Sequence, residues 1–239
     1  MEAYKTINGI ILSQIKYKEF DKIFTILTEE LGKITCIAKG IVKTKSKMRA
    51  FFQTGAILEV ELIRKNDNIP LIKGVKSIFI PQIKNYDHLV YFERALELTN
   101  KLCQHEHVMK ASVELLHNFI VLFESSKNKR VFFISYELQL LTRLGFLGDF
   151  KLCTKCNTKL SEKAHFFDGV HGFICDKCKK EDLATLVSFN EIKVISFLQN
   201  TPMQNINALS LDLSIIKNIE TKAKILRSQV FAFPLKSEN

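Results

Sequence analysis

The sequence predicts an α+β chain: an N-terminal β-barrel of the OB-fold type, then an α-helical domain carrying an inserted four-cysteine module. Three observations predict it. Apolar residues follow a strand period up to about residue 80, a helical period begins after Pro81, and two CxxC pairs interrupt the helical part. The boundaries expected are 1–80 for the barrel and 81–239 for the helical domain, with the cysteine module at about 150–182.

Each barrel element has its own signal. Thr6 to Ile15 is a first apolar run and Lys22 to Thr28 a second. Glu29-Glu30-Leu31-Gly32 is a glycine-containing turn into Lys33 to Ala38, which predicts a hairpin. Ala56 to Arg64 alternates through Leu58, Glu59, Val60, Glu61 and Leu62, the period-two mark of a half-buried strand. Asn66-Asp67-Asn68 then turns the chain into Ile69 to Ile80. Five strands with a basic connection between the third and fourth suit a small OB-type barrel. Such barrels run a single strand along a basic groove and stack its bases on aromatics. Tyr17, Phe20, Phe51 and Phe52 are the candidate platforms, although aromatics beside strands also build cores.

Beyond Pro81 the spacing is helical. Asp87 to Leu102 places Leu89, Phe92, Leu96 and Leu102 among Glu93, Glu97 and Lys101. Val108 to Phe123 carries a stripe of Val113, Leu116, Ile120 and Phe123. Arg130 to Leu144 is a third helix with a broad apolar face, stopped near Gly145. Ser188-Phe189-Asn190-Glu191 is a capping box that opens a helix to about Gln199, and Asp212 to Phe231 is the last long helix. The metal module is thus an insertion between helices. No internal repeat or low-complexity linker interrupts the series.

Cys153 and Cys156 are separated from Cys175 and Cys178 by eighteen residues. A CxxC turn presents two sulfurs from one tight bend, and this spacing falls within the pattern of four-cysteine zinc sites. Leu152-Cys153-Thr154-Lys155-Cys156-Asn157 and Ile174-Cys175-Asp176-Lys177-Cys178-Lys179 each resemble a zinc-ribbon knuckle. The expectation is a structural Zn2+ bound by Cys153, Cys156, Cys175 and Cys178, with no open position for a substrate. The ligand set alone does not separate zinc from iron. Disulfides are disfavoured, because Met1-Glu2-Ala3-Tyr4-Lys5 lacks the apolar core of a secretory signal. A redox CxxC would follow a strand and open a helix, whereas these lie in turn-rich sequence. With four sulfurs present, His165 and His171 are expected at the surface, and Cys36 and Cys103 as small buried apolar residues.

The formal charge of +10 on 239 residues points to a polyanionic partner, nucleic acid before an anionic membrane surface. Lysine makes up 29 of the 35 basic residues, a bias that can also follow genome composition, so distribution carries the argument. From Leu31 to Leu58 there is no acid, while Lys33, Lys39, Lys43, Lys45, Lys47 and Arg49 all fall in that window. These six are the candidate DNA-binding residues, since each cation placed on a phosphate releases counterions without reading sequence. Lys43, Lys45 and Lys47 alternate and would point the same way in an extended segment. A mobile solvated loop is the competing reading. No apolar stretch approaches the ~20 residues of a membrane-spanning helix.

Nothing in the chain announces catalysis. GxxxxGK[ST], GxGxxG, HExxH and GxSxG are absent, and no spaced carboxylate set suggests a two-metal nuclease. Glu93, Glu97 and Glu106 fit a solvated helix face. The chain is therefore expected not to be an enzyme.

The order of parts resembles a known family. Ala38-Lys39-Gly40-Ile41-Val42-Lys43 after the β-rich start, Tyr136-Glu137-Leu138-Gln139-Leu140-Leu141-Thr142-Arg143-Leu144-Gly145-Phe146 running into Cys153, and the closing Pro234-Leu235-Lys236-Ser237 together resemble the bacterial recombination-mediator family RecO. The likeness covers the whole chain and is most specific in the helix that leads to the cysteines. Gly148 departs from it, standing where the family is expected to carry a proline. The resemblance implies a non-enzymatic DNA-repair factor of the bacterial cytoplasm and nucleoid. It would bind single- and double-stranded DNA, anneal complementary strands and contact the single-strand-binding protein. With RecR it would help RecA replace that protein on DNA. Lys39 then matches the basic position of the Ala-Lys/Arg-Gly motif, and Arg49 with the lysines before it matches the basic loop. No motif marks a protein-binding surface. A zinc-ribbon accessory protein of transcription or translation, and a DNA-modifying enzyme with a structural zinc, are the rival readings.

Overall fold

The computed structural model describes residues 2–43, 48–66, 68–83, 85–105, 107–161, 164–167, 172–179, 185–230 and 235. Lys45, Lys47, Asp67, Glu106 and His171 lie outside them. By packing, the chain forms two compact units, Met1–Glu124 and Ser125–Asn239, so the first two helices group with the barrel. The boundary expected at residue 80 falls between the last barrel strand and the first helix.

Five strands, β1 (Glu2–Lys16), β2 (Lys22–Thr28), β3 (Gly32–Ala38), β4 (Ile57–Lys65) and β5 (Leu71–Phe79), close a barrel in the order β1-β2-β3-β5-β4. This is the N-terminal OB-fold. Closure depends on the length of β1. Its first half, Glu2 to Ile10, pairs with β4, and its second half, Gly9 to Lys16, pairs with β2, with a register shift between Ile11 and Ser13. The period-two residues turn inward as their spacing requires: Phe24 and Ile26, Ile34 and Cys36, Leu58 and Val60 are all buried in one cluster. The seam between β3 and β5 is held by a single parallel pair, Ile37 with Leu71.

The β2–β3 hairpin is tied by Thr28, whose hydroxyl donates to the Gly32 carbonyl at 2.9 Å and accepts from Leu31 N at 3.0 Å. Gly32 itself has φ +67°, and a Cβ there would meet the backbone oxygen of His107 at 2.3 Å. Gly32→Ala is therefore expected to lower stability by about 2 kcal/mol, from the left-handed backbone and the displaced segment together. Denaturant unfolding of the full chain measures it, and an unchanged midpoint would show that this approach is not present in solution.

Two helices complete the first unit: α1 (Tyr86–Leu102), capped by the Asn85 side chain, and α2 (Lys110–Phe123). Phe92, Phe119 and Phe123 lock them, with ring centroids 5.1–6.3 Å apart. In the second unit α3 (Lys129–Arg143) is the central helix, every residue from Val131 to Leu141 being buried. Around it pack α4 (Phe189–Asn200), the single turn α5 (Met203–Ile206) and α6 (Leu213–Val230). The polar residues of the Tyr136 to Phe146 motif work as joints. Glu137 accepts from Arg227 of α6 at 2.5 Å, both nearly fully buried, and Gln139 Nε2 donates to the carbonyls of Leu198 and Thr201. Ser188 opens α4 with the expected capping box.

Candidate nucleic-acid interface and metal centre

Of the six candidate DNA-binding residues, three come together on the barrel rim. β3 ends at Ala38, and the chain turns at once: Gly40 takes φ +65°, and Lys43 N donates to its carbonyl at 3.2 Å. A Cβ at Gly40 would meet nothing closer than Lys43 Cδ at 3.6 Å, so the backbone angle, not space, calls for glycine. The β1–β2 loop anchors this turn. The Asp21 carboxylate accepts from Gly40 N at 2.8 Å, and the Phe20 carbonyl accepts from Val42 N at 3.1 Å. Lys39 and Lys43 stand exposed on the turn, and Arg49 is exposed at the start of a short 3-10 turn, Arg49–Phe51. Among the described residues none of the three is in an ion pair, so their charge remains available to an anion.

Lys33 is not part of this surface. It is 7% exposed, and its ammonium donates to the Asn100 carbonyl at the end of α1. Burial holds its pKa below the usual lysine value, opposed by the neighbouring Cys103. Its side chain closes a helix end instead of meeting solvent. Lys43 sits in the Gly40 turn, and Lys45 and Lys47, the rest of the expected alternation, lie outside the described residues.

The aromatics divide in the same way. Phe52 is buried, its ring 4.6 Å from that of Phe24, and Phe51 packs half-buried on the same core. Tyr17 and Phe20 stay exposed in the β1–β2 loop, with the Lys18 and Lys43 ammonium groups each 5.4 Å from the neighbouring ring centroid. Tyr17, Lys18, Asp21, Ile37, Lys39, Asn68, Ile69 and Leu71 enclose a groove of about 430 Å3. Lys18, Asn68 and Ile69 were not singled out in the sequence. Only the barrel order, which sets the β4–β5 loop beside the end of β3, brings them to Lys39.

Residues between α3 and α4 fold as a small module around the four cysteines. Three short strands, β6 (Ala164–Phe167), β7 (Gly172–Cys175) and β8 (Thr185–Val187), form an antiparallel sheet in the order β7-β6-β8. The first knuckle is a tight turn in which Asn157 N donates to the Cys153 carbonyl and Asn157 takes φ +57°. It is laced to β7, because Thr154 N donates to the Phe173 carbonyl at 2.9 Å and Cys175 N donates to Cys153 Sγ at 3.3 Å. A core of Phe150, Phe166 and Phe173 lies beneath. At the entry to the module, the Gly148 carbonyl accepts from Gln199 Nε2 at 2.7 Å, so a hydrogen bond fixes the place where a proline ring was expected.

The four Sγ atoms lie within 4.8 Å of one another. Cys156 and Cys175 are 3.7 Å apart, which matches the ~3.8 Å edge of a tetrahedron with metal–sulfur bonds of about 2.3 Å. Their acidities pull apart. The Thr158 hydroxyl, bonded to Cys156 Sγ at 3.0 Å, draws that thiol down to about 6, while the bonds to Cys156 and Cys175 push Cys178 up to about 12. Four thiolates this close cannot all be charged without a cation among them, so the donor set fits a tetrahedral metal ion. Cys153 is buried and Cys156 exposed, so the ion would sit near the module surface with its coordination filled by sulfur.

His165 is not the surface residue expected. It is buried in β6, and its Nε2 lies 3.0 Å from the Asp176 carboxylate inside the second knuckle. It braces that knuckle without joining the sulfur cluster. Cys36 and Cys103 are buried thiols, pushed up by burial to about 12 and about 11, and so chemically quiet.

Comparison with known proteins agrees over the full length. Residues 1–80 match the family model described as recombination protein O N terminal, and residues 84–237 match recombination protein O C terminal. The chain is 28% identical over 223 residues to the DNA repair protein RecO of Caldicellulosiruptor bescii, covering 92% of this chain and 90% of that one. It is 27% identical over 246 residues to the DNA repair protein RecO of Clostridium novyi, covering 99% and 93%. The Clostridium perfringens protein of the same name is 27% identical over 234 residues, covering 96% and 94%.

Proposed function

The chain belongs to the recombination protein O family, and on that premise we propose that it is a DNA repair and recombination mediator. It binds single- and double-stranded DNA through the barrel rim and anneals complementary strands. It helps load a RecA-type recombinase onto DNA coated with single-strand-binding protein, acting with RecR. The observation that carries this reading is the exposed trio Lys39, Lys43 and Arg49, free of ion pairs among the described residues and beside exposed Tyr17 and Phe20. The ion held by Cys153, Cys156, Cys175 and Cys178 is Zn2+ in a structural role, since a closed sulfur shell suits architecture. The site of action is the cytoplasm and nucleoid, and no helix among the described residues is long and apolar enough to cross a membrane.

Annealing needs no covalent chemistry. A protein that neutralises two phosphate backbones lowers their repulsion and raises the encounter rate of complementary strands. Mixing complementary oligonucleotides with the protein should therefore speed duplex formation without nucleotide, and added ATP should leave the rate unchanged. Strands precoated with single-strand-binding protein should also anneal. Annealing that requires ATP, or strand cleavage with divalent metal in the same tube, would favour an enzyme and sink the mediator reading.

A further inference from the structure

We propose that Cys156 is an oxidation site: hydrogen peroxide converts it and Cys175 to a disulfide that joins the two knuckles and frees the bound ion. The inference rests on reading the four sulfurs as a zinc site. The four ligands are unequally guarded. Cys153 is buried, its sulfur accepting from Cys175 N at 3.3 Å, and Cys175 and Cys178 are half-buried. Cys156 alone of the four is exposed, and in the chain it lies between exposed Lys155 and Lys159. Access and neighbouring cations distinguish a reactive sulfur from an inert one, and metal coordination keeps the sulfur in its thiolate form. Cys36 and Cys103 have neither advantage, since both are buried.

One peroxide balances the step. The Cys156 thiolate attacks a peroxide oxygen, the O–O bond breaks, and a sulfenic acid and a hydroxide form. The Cys175 thiolate, 3.7 Å away on the other knuckle, then attacks the sulfenic sulfur and expels a second hydroxide. The two thiolates together lose two electrons, and the peroxide gains them to become two hydroxides, which take up protons as water. Cys153 and Cys178 remain as ligands, half the set that a tetrahedral ion requires. Metal binding and the order of this module are one equilibrium, so the disulfide loosens the knuckles and the three-stranded sheet together. A dithiol reductant with added zinc reverses the change.

The test treats the zinc-loaded full chain with limiting hydrogen peroxide, follows zinc with a metal-binding dye, and alkylates the remaining thiols before trypsin digestion. Lysines put each ligand on its own peptide, 152–155, 156–159, 164–177 and 178–179, so mass reads the pairing directly. Zinc release should keep pace with the joined peptides 156–159 and 164–177, one ion per disulfide, while Cys36 and Cys103 stay reduced. Thr158→Val removes the hydroxyl that lies 3.0 Å from Cys156 Sγ. A thiolate relieved of a hydrogen bond is a stronger nucleophile, so this variant should release zinc roughly threefold faster. A first disulfide that omits Cys156 or Cys175 overturns the proposal. So does zinc retained under peroxide that oxidises free glutathione, or an unchanged rate in the Thr158 variant. A starting protein without zinc is a separate failure, which refutes the metal assignment and takes the oxidation site with it.

Discussion

Cys153→Ser should abolish stoichiometric zinc binding and unfold the cysteine module while leaving the barrel folded. Structural zinc in small four-ligand sites is worth about 10–16 kcal/mol of apparent binding free energy at neutral pH, and for a module this small that is also its folding free energy. Cys153 is the buried ligand, and its sulfur accepts from Cys175 N, so it joins the two knuckles as well as holding the ion. Three strands of three or four residues and one cluster of phenylalanines cannot order that segment alone. Metal analysis should find one zinc per parent chain and close to none in the variant, with new protease sites between Lys151 and Val187. DNA affinity should change far less, because the basic rim belongs to the other compact unit. Parent protein that carries iron, or carries no metal and resists protease, would refute the zinc assignment.

The barrel and the long helices were legible because each has a period that survives without tertiary knowledge. Leu58, Val60 and Leu62 could occupy one face only of a strand, and Ser188 with Glu191 could cap only a helix start. The four cysteines were legible for a similar reason, since two CxxC turns are short enough to act locally. The misses share one cause. Lys33 lies on a strand end that α1 covers, and nothing near it in sequence says that the Asn100 carbonyl will be waiting. Phe52 follows a basic loop yet falls against Phe24, a contact fixed only by barrel closure. His165 looks like a polar residue in a turn-rich stretch, but it is buried in β6 against the Asp176 carboxylate, a contact that nothing local in sequence marks. Strands as short as β6, β7 and β8 carry too few alternations for a pattern to register. The candidate interface was half visible. Charge distribution marked Lys39, Lys43 and Arg49, but the groove beside them draws on Tyr17, Lys18 and Asp21 and on Asn68 and Ile69, far apart in the chain.

Replacing Lys39, Lys43 and Arg49 together with alanine should weaken single-strand binding by up to about 100-fold at 0.1 M salt. The figure follows from counterion release: each phosphate contact on a single strand contributes about 0.7 to the slope of log K against log salt, so three lost contacts flatten it by about 2. Extending the substitutions to Lys45 and Lys47 flattens it further if those side chains also meet phosphate. Lys33 does not belong in the variant. Its ammonium holds the Asn100 carbonyl, so Lys33→Ala would lower stability and confuse the reading. Anisotropy titrations over a series of salt concentrations give the slope directly, and circular dichroism confirms that each variant is folded. An unchanged slope would move the binding surface off the barrel, and α6, with Lys217, Lys222, Lys224 and Arg227, is the next place to look. Two of those four are already engaged, Lys222 with Glu191 at 3.1 Å and Arg227 with Glu137 in the buried joint to α3. That leaves Lys217 and Lys224 exposed on the helix, too few contacts to sustain a steep salt dependence alone. A steep slope in the parent that collapses in the triple variant therefore assigns the phosphate contacts to the turn that Gly40 makes and Asp21 holds.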